Sequence, residues 1–161
     1  MTQSYAKSSL EIPALPEGYQ IRRINADDYE RGALETLKTL TTVGKISKEE
    51  FTELINTWDK NPEIYHTLLV LNPSGKVAAI GSIIVESKLI HKCGKVGHIE
   101  DIAVNRNEQG KKLGLTLIRR LINIGAEAGC YKVILDCDPA NELFYVKCGL
   151  SRTGVEMQFR F

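Results

Sequence analysis

The chain has 161 residues, of which 43% are hydrophobic and 25% charged, and 21 Lys and Arg against 20 Asp and Glu leave a formal net charge of +1. At about 100–200 residues per domain this length makes one compact domain and excludes two, while the composition excludes disorder, collagen-like repetition and coiled coil. There is no excess field of the kind that nonspecific nucleic-acid binding needs, so nucleic acid is not expected as a partner.

Residues 1–18 are polar, carry Pro13 and Pro16 and show no period, which predicts a flexible tail, mobile or loosely docked, ahead of a domain at 19–161. Residues 1–9 lack the apolar stretch of a signal peptide, and no apolar run approaches the roughly 20 residues of a membrane-spanning helix. A cytoplasmic protein without membrane insertion is the expectation. Residues 19–23 predict a strand. Asn25, Asp27 and Asp28 then cap a helix whose buried stripe is Ala33, Leu34, Leu37 and Leu40. Ser47-Lys48-Glu49-Glu50 spells a capping box for a second helix with Phe51, Leu54, Ile55 and Trp58 as its apolar face. The runs 68–71 and 77–85 flank the turn Asn72-Pro73-Ser74-Gly75 and predict a hairpin.

A strand at 96–104, a helix from about 111 to 128 and a short strand at 133–135 form a β-α-β crossover, the kind of unit whose strand ends favour ligands. A short helix at 141–147 and an alternating strand at 155–161, with Val155, Met157, Phe159 and Phe161 on one face, complete the chain. The order predicts a single-domain mixed α/β fold, a central twisted mixed sheet with helices on both faces. The four cysteines, Cys93, Cys130, Cys137 and Cys148, form no C-x-x-C pair and read as reduced thiols. His91, Cys93 and His98 lack a paired fourth ligand, so no metal is expected.

Between the 96–104 strand and its helix lies Asn105-Arg106-Asn107-Glu108-Gln109-Gly110-Lys111-Lys112-Leu113-Gly114. Gly110 permits a tight loop, Gly114 removes a side chain from the first helical turn, and free amides at a helix start suit an anion such as phosphate, with Lys111 and Lys112 adding charge. Such a turn alone is often only a turn.

Its surroundings are more specific. The segments Gly97-His98-Ile99-Glu100-Asp101-Ile102-Ala103-Val104, Gln109 to Gly114, Cys130-Tyr131-Lys132, Leu135-Asp136-Cys137 and Phe144-Tyr145-Val146-Lys147-Cys148-Gly149 together resemble the acetyl-CoA-dependent GNAT superfamily of N-acetyltransferases over about residues 19–161. With the Leu40-Thr41-Thr42-Val43-Gly44 turn and the Val155-Glu156-Met157-Gln158 ending, they resemble its branch that acetylates the 2-amine of glucosamine 6-phosphate. That implies N-acetylglucosamine 6-phosphate and CoA as products, on the way to UDP-N-acetylglucosamine. One position departs from the superfamily loop Q/R-x-x-G-x-G/A: Lys112 stands at its first glycine, where right-handed helical angles would still let the loop donate amides.

The resemblance implies that Ile102, Ala103 and Val104 hold the pantetheine arm, that Gly110, Lys111, Lys112, Leu113, Gly114 and Leu115 receive the pyrophosphate, and that Tyr145, Val146 and Lys147 contact the same cosubstrate. An amide near Ile102 is expected to stabilise the oxyanion. Glu100 and Asp101 are implied at the sugar-phosphate site with Ile102, Glu100 as proton acceptor; the alternative is a bulge that turns one acid to solvent. Asp136 is implied to orient or deprotonate the amine, and Tyr145 to protonate the leaving thiolate, a phenol of reference pKa about 10 serving a thiol of about 8.5. Thr41, Lys88, Leu89, Ile90, His91, Tyr131, Lys132 and Arg160 are implied around the acceptor. Residues 86–120 hold eight Lys and Arg against four Asp and Glu, a field that suits a phosphorylated substrate. The resemblance also implies a homodimer with shared acceptor sites. Two other readings stay open: the same fold acting on another amine, and a catalytically silent acetyl-CoA-binding module.

Overall fold

The apolar runs on either side of Asn72–Gly75 fold back on one another because the turn satisfies itself: Gly75 N donates to Asn72 O at 2.8 Å and Asn72 N to Lys76 O at 2.9 Å. The Asn72 side chain accepts from the amides of Ser74 and Lys76 at 3.0 Å each. In the computed structural model, which describes residues 10–161, this hairpin pairs β2 (Tyr65–Leu71) with β3 (Val77–Ser87). It is joined by β1 (Gln20–Arg23), β4 (Lys95–Val104) and β5 (Cys130–Ile134) in the spatial order β1-β2-β3-β4-β5. All neighbours are antiparallel except β4 and β5, which the crossover makes parallel.

The crossover helix α4 (Leu113–Glu127) buries Leu113, Leu117, Ile118 and Leu121 against Val70, Ile83 and Ile99 on one face of the sheet. On the other face α1 (Ala33–Leu37) and α2 (Lys48–Asp59) bring Ala33, Phe51 and Ile55 onto Leu69, Leu71, Ile80 and Ala103. Helices therefore cover both faces, as the element order predicts. The capping box of α2 forms in both directions: Glu50 N donates to Ser47 Oγ at 3.1 Å and Ser47 N to Glu50 Oε2 at 2.7 Å. A single turn, α3 (Ile90–Cys93), and the seven-residue α5 (Glu142–Cys148) complete the helices.

Two expectations are corrected. The helix expected from Asn25 is split into a 3-10 turn at Ala26–Tyr29 and α1, because Gly32 turns left-handed at φ 91° and the Arg31 carbonyl accepts from Val77 N at 2.9 Å. Leu40 falls beyond α1 and is half exposed. The strand expected at 155–161 is not a strand: residues 151–161 are exposed and paired to no strand of the sheet, since backbone extends into a sheet only where a neighbouring edge receives it. Of the tail expected at 1–18, the first nine residues lie outside the described part of the chain. Its remainder lies along α4, with Leu15 packed on the core and the Pro13 carbonyl accepting from Thr116 Oγ1 at 3.2 Å.

Candidate active site

The cleft comes from two irregularities in β4. Its pairing to β5 runs from Lys95↔Cys130 to His98↔Ile134 and stops there, so from Ile99 to Val104 one edge of β4 has no strand beside it. Against β3 the register jumps from Ser82↔Glu100 to Ile80↔Ala103, one extra residue on β4. This is a bulge, with Asp101 left-handed at φ 55°. A Cβ on Gly81 would collide with Ile102 Cδ1, so the glycine admits the bulged strand.

The bulge that the sequence offers as an alternative reading is present, and it leaves both Glu100 and Asp101 exposed. Partial desolvation, then the negative charges of Asp101 and Asp136, push the Glu100 carboxyl above the usual carboxylate range. The 135–137 segment, which continues from β5, therefore brings Asp136 within electrostatic reach of Glu100.

At the loop before α4, Gly110 is left-handed at φ 82°. No side chain caps the α4 amides, and Leu113, Gly114 and Leu115 begin the helix buried. A Cβ on Gly114 would come within 3.2 Å of Phe144 Cζ and 3.5 Å of Val104 Cγ2, so this glycine lets α5 close over the loop beside β4. Free helix-start amides, a glycine at the close approach and an unpaired strand edge fit a ligand that carries phosphates on a long polar arm.

Lys112 corrects a further expectation. It is left-handed (φ 60°, ψ 17°) rather than right-handed helical, so a side chain sits where glycine is favoured. Lys112→Gly is expected to raise stability by about 0.5–1 kcal/mol, read from the urea unfolding midpoint; an unchanged or lowered midpoint would mean that the lysine stem recovers the strain.

Lys111 is engaged with the protein itself: its Nζ lies 2.5 Å from Glu108 Oε2 and 2.8 Å from the Tyr19 hydroxyl. Glu108, which the sequence reading missed, also accepts from Tyr19 at 2.6 Å and from Asn72 at 2.9 Å. Lys111, then Tyr19 and Asn72, hold its carboxyl down to about 2. The stability this gives is present above the ordinary carboxylate range and is lost as pH falls toward 2. Glu108 thereby ties the loop to β1 and to the β2–β3 turn.

Tyr145 on α5 is half-buried in the α4-side core, its ring centroid 5.0 Å from that of Phe144. Burial, with Cys137 and Cys148 adding to it, pushes its phenol up, so it stays protonated through the neutral range. Val146 and Lys147 follow it, exposed.

The residues expected around the acceptor gather in part. The His91 and Tyr131 rings lie 4.1 Å apart and the Lys132 ammonium is 5.9 Å from the Tyr131 centroid. His91, Lys92 and Cys93 are all left-handed, an arrangement that costs about 1–2 kcal/mol per residue, and Leu89 and Ile90 beside them are exposed. Gly94 makes room: a Cβ there would lie 2.9 Å from Tyr131 Cδ1. Lys88 is held 2.8 Å from Glu86 Oε1, while Glu86 Oε2 meets His98 Nε2 at 2.7 Å, making Glu86 a second acid that sequence reading missed. Thr41 is exposed beyond α1, and Arg160 lies on the exposed C-terminal stretch, donating to Gln158 at 2.8 Å. Among the described residues no group of His, Cys, Asp or Glu is arranged to hold a metal ion.

A protein of Candida albicans named glucosamine 6-phosphate N-acetyltransferase is 58% identical over 147 residues, 91% of this chain and 99% of that one. One of Dictyostelium discoideum, named glucosamine 6-phosphate N-acetyltransferase 1, is 46% identical over 142 residues, 88% and 90% of the two chains. The crystal structure of glucosamine-6-phosphate N-acetyltransferase from Arabidopsis thaliana superposes with a TM-score of 0.88 at 36% identity, covering 90% of this chain and 99% of that one. Residues 20–150 match the Acetyltransferase (GNAT) family, and the chain belongs to that family of acetyltransferases.

Proposed function

We propose that this acetyltransferase moves the acetyl group of acetyl-CoA to the 2-amine of glucosamine 6-phosphate by direct attack in a ternary complex, feeding UDP-N-acetylglucosamine synthesis. The observation that carries the reading is the unpaired edge of β4 beside the uncapped start of α4, with Glu100 on β4, Asp136 just beyond β5 and Tyr145 on α5. The names of the similar proteins support the acceptor.

Acetyl-CoA supplies the acyl group already activated as a thioester. The amides of Gly110, Lys111, Lys112, Leu113, Gly114 and Leu115 receive its pyrophosphate, Ile102, Ala103 and Val104 hold the pantetheine arm along β4, and Tyr145, Val146 and Lys147 close the other side. An amide near Ile102, on the stretch of β4 that β5 leaves unpaired, donates to the acyl carbonyl oxygen. Glu100 takes the proton that the amine loses as the N–C bond forms, Asp136 orients the amine, and Tyr145 gives its proton to the sulfur as the C–S bond breaks. Lys88, His91, Tyr131, Lys132 and Arg160 hold the phosphate and sugar, with Thr41, Leu89, Ile90 and Asp101 completing the acceptor site.

Thiol release from acetyl-CoA with glucosamine 6-phosphate, compared with unphosphorylated glucosamine at equal concentration, tests this. Rapid release with the phosphorylated sugar alone is expected. Release with neither, despite CoA binding, would point to another amine or to a silent binding module.

The acceptor site belongs to a homodimer in this reading. Val155, Met157, Phe159 and Phe161 alternate along the chain at 82%, 89%, 81% and 116% exposure, an apolar row that one copy leaves uncovered. Glu156 lies within electrostatic reach of Glu100, so the same stretch passes the site. Sedimentation equilibrium is expected to give twice the chain mass, and a monomer at micromolar concentration would remove the shared site. No described helix is long and apolar enough to cross a membrane. A cytoplasmic location belongs to this reading.

A further inference from the structure

Arg119 is where three parts of the chain meet. It lies on α4, one helical turn beyond Thr116, and its guanidinium donates through Nη1 to the Glu11 carbonyl at 2.5 Å and through Nη2 to the Lys147 carbonyl at 3.1 Å. Thr116 holds the Pro13 carbonyl, so two α4 side chains fix residues 11 and 13 of the leading segment along the helix. The same segment touches the far end of α5, where a Cβ on Gly149 would come within 2.9 Å of Leu10 Cδ2.

The Nε of Arg119 is buried without a hydrogen-bond partner among the described residues. A buried unpaired donor costs about 1–3 kcal/mol, so the guanidinium sits where its two Nη bonds require, at the expense of the third group. α5 needs such a fixture: it has only seven residues, too short to hold a geometry by itself, and it carries Tyr145. The Tyr145 carbonyl accepts from Leu150 N at 3.1 Å, within the turn that ends α5 beside Lys147.

We infer that Arg119, clamped between the 10–16 strap and the end of α5, is a positioning residue that sets the place of the Tyr145 hydroxyl for proton donation to the departing sulfur. The inference rests on the reading of Tyr145 as the acid. A group misplaced by a fraction of an ångström loses part of the advantage of proximity, so the effect falls on the step that needs the proton.

The test varies the leaving group. Arg119→Met keeps the length of the side chain while removing both carbonyl contacts. With acetyl-CoA and glucosamine 6-phosphate it is expected to lower kcat about tenfold with KM values within about twofold. With the acetyl thioester of 4-nitrothiophenol, whose acidic thiol departs without a proton, the loss in kcat/KM shrinks to under about twofold. In the Tyr145→Phe background the substitution has no further effect, because the group it positions is gone. Thr116→Val, which cuts the strap elsewhere, gives a smaller loss with the same donor dependence and serves if Arg119→Met fails to fold. Equal slowing of both donors by Arg119→Met would make the residue merely structural and overturn the inference. If Tyr145→Phe itself slows both donors equally, the acid role of Tyr145 falls and the inference with it, an outcome separate from a failure at Arg119 alone.

Discussion

Tyr145→Phe lowers kcat for acetyl transfer about 10²–10³-fold, with the KM for acetyl-CoA changed by no more than about threefold, in the expected steady-state measurement of thiol release. The size follows from what is removed. A thiolate leaving from an aliphatic thiol of pKa about 8.5 gains from a proton delivered as the C–S bond breaks, and in the proposed reaction the donor is the phenol of Tyr145, which packs against the α4-side core. Burial strengthens the assignment because it raises the phenol above its ordinary value, so the donor keeps its proton over the whole range in which the amine reacts. The sign has a consequence for pH: the alkaline limit of activity that belongs to Tyr145 lies above about 10, and Tyr145→Phe leaves no limb there. The Phe ring retains the packing against the core, so a drop in the thermal midpoint should be small. Unchanged kcat with intact CoA binding would remove Tyr145 from the chemistry and leave it as a packing residue.

Much of this arrangement can be read in the sequence because it is local. The Ser47–Glu50 capping box and the Asn72–Gly75 turn each complete their own hydrogen bonds within a few residues, and each forms where predicted. Glu108 was invisible for the opposite reason. Its partners Tyr19 and Asn72 are 89 and 36 residues away, and nothing in Asn107-Glu108-Gln109 distinguishes a buried acid from a surface one. The break at Gly32 likewise depends on Val77 taking the Arg31 carbonyl, a tertiary contact that overrides a helical stripe.

Lys112 shows a different limit. Its departure from glycine was legible, but the loop keeps the left-handed turn and accepts the strain rather than refolding around the lysine. At 155–161 the alternation was legible and the pairing was not, since a row of apolar side chains specifies a face to be covered without naming what covers it. The acids of β4 combine both cases. Two adjacent carboxylates signalled something unusual, and the bulge at Asp101 is what exposes both at the same end of the cleft.

Glu100→Gln carries the second large effect, a fall of about 10²-fold or more in kcat/KM for glucosamine 6-phosphate with acetyl-CoA binding retained. Desolvation together with Asp101 and Asp136 places the Glu100 carboxyl above the ordinary carboxylate range, nearer to the operating pH, where a carboxylate is a better proton acceptor than a fully solvated one. As the base it must be ionised, so activity is lost as pH falls through its raised pKa and the acid limb of kcat/KM lies higher than that of a fully solvated, isolated glutamate. Asp136 decides between two assignments. If Glu100 is the base, Asp136→Asn removes a negative charge that was raising it, and the acid limb moves to lower pH while persisting; if Asp136 is the base, the limb that depends on it disappears and Glu100→Gln leaves one behind. The direction of that single shift, measured on purified protein at saturating acetyl-CoA, separates an acid that accepts the proton from one that only tunes its neighbour.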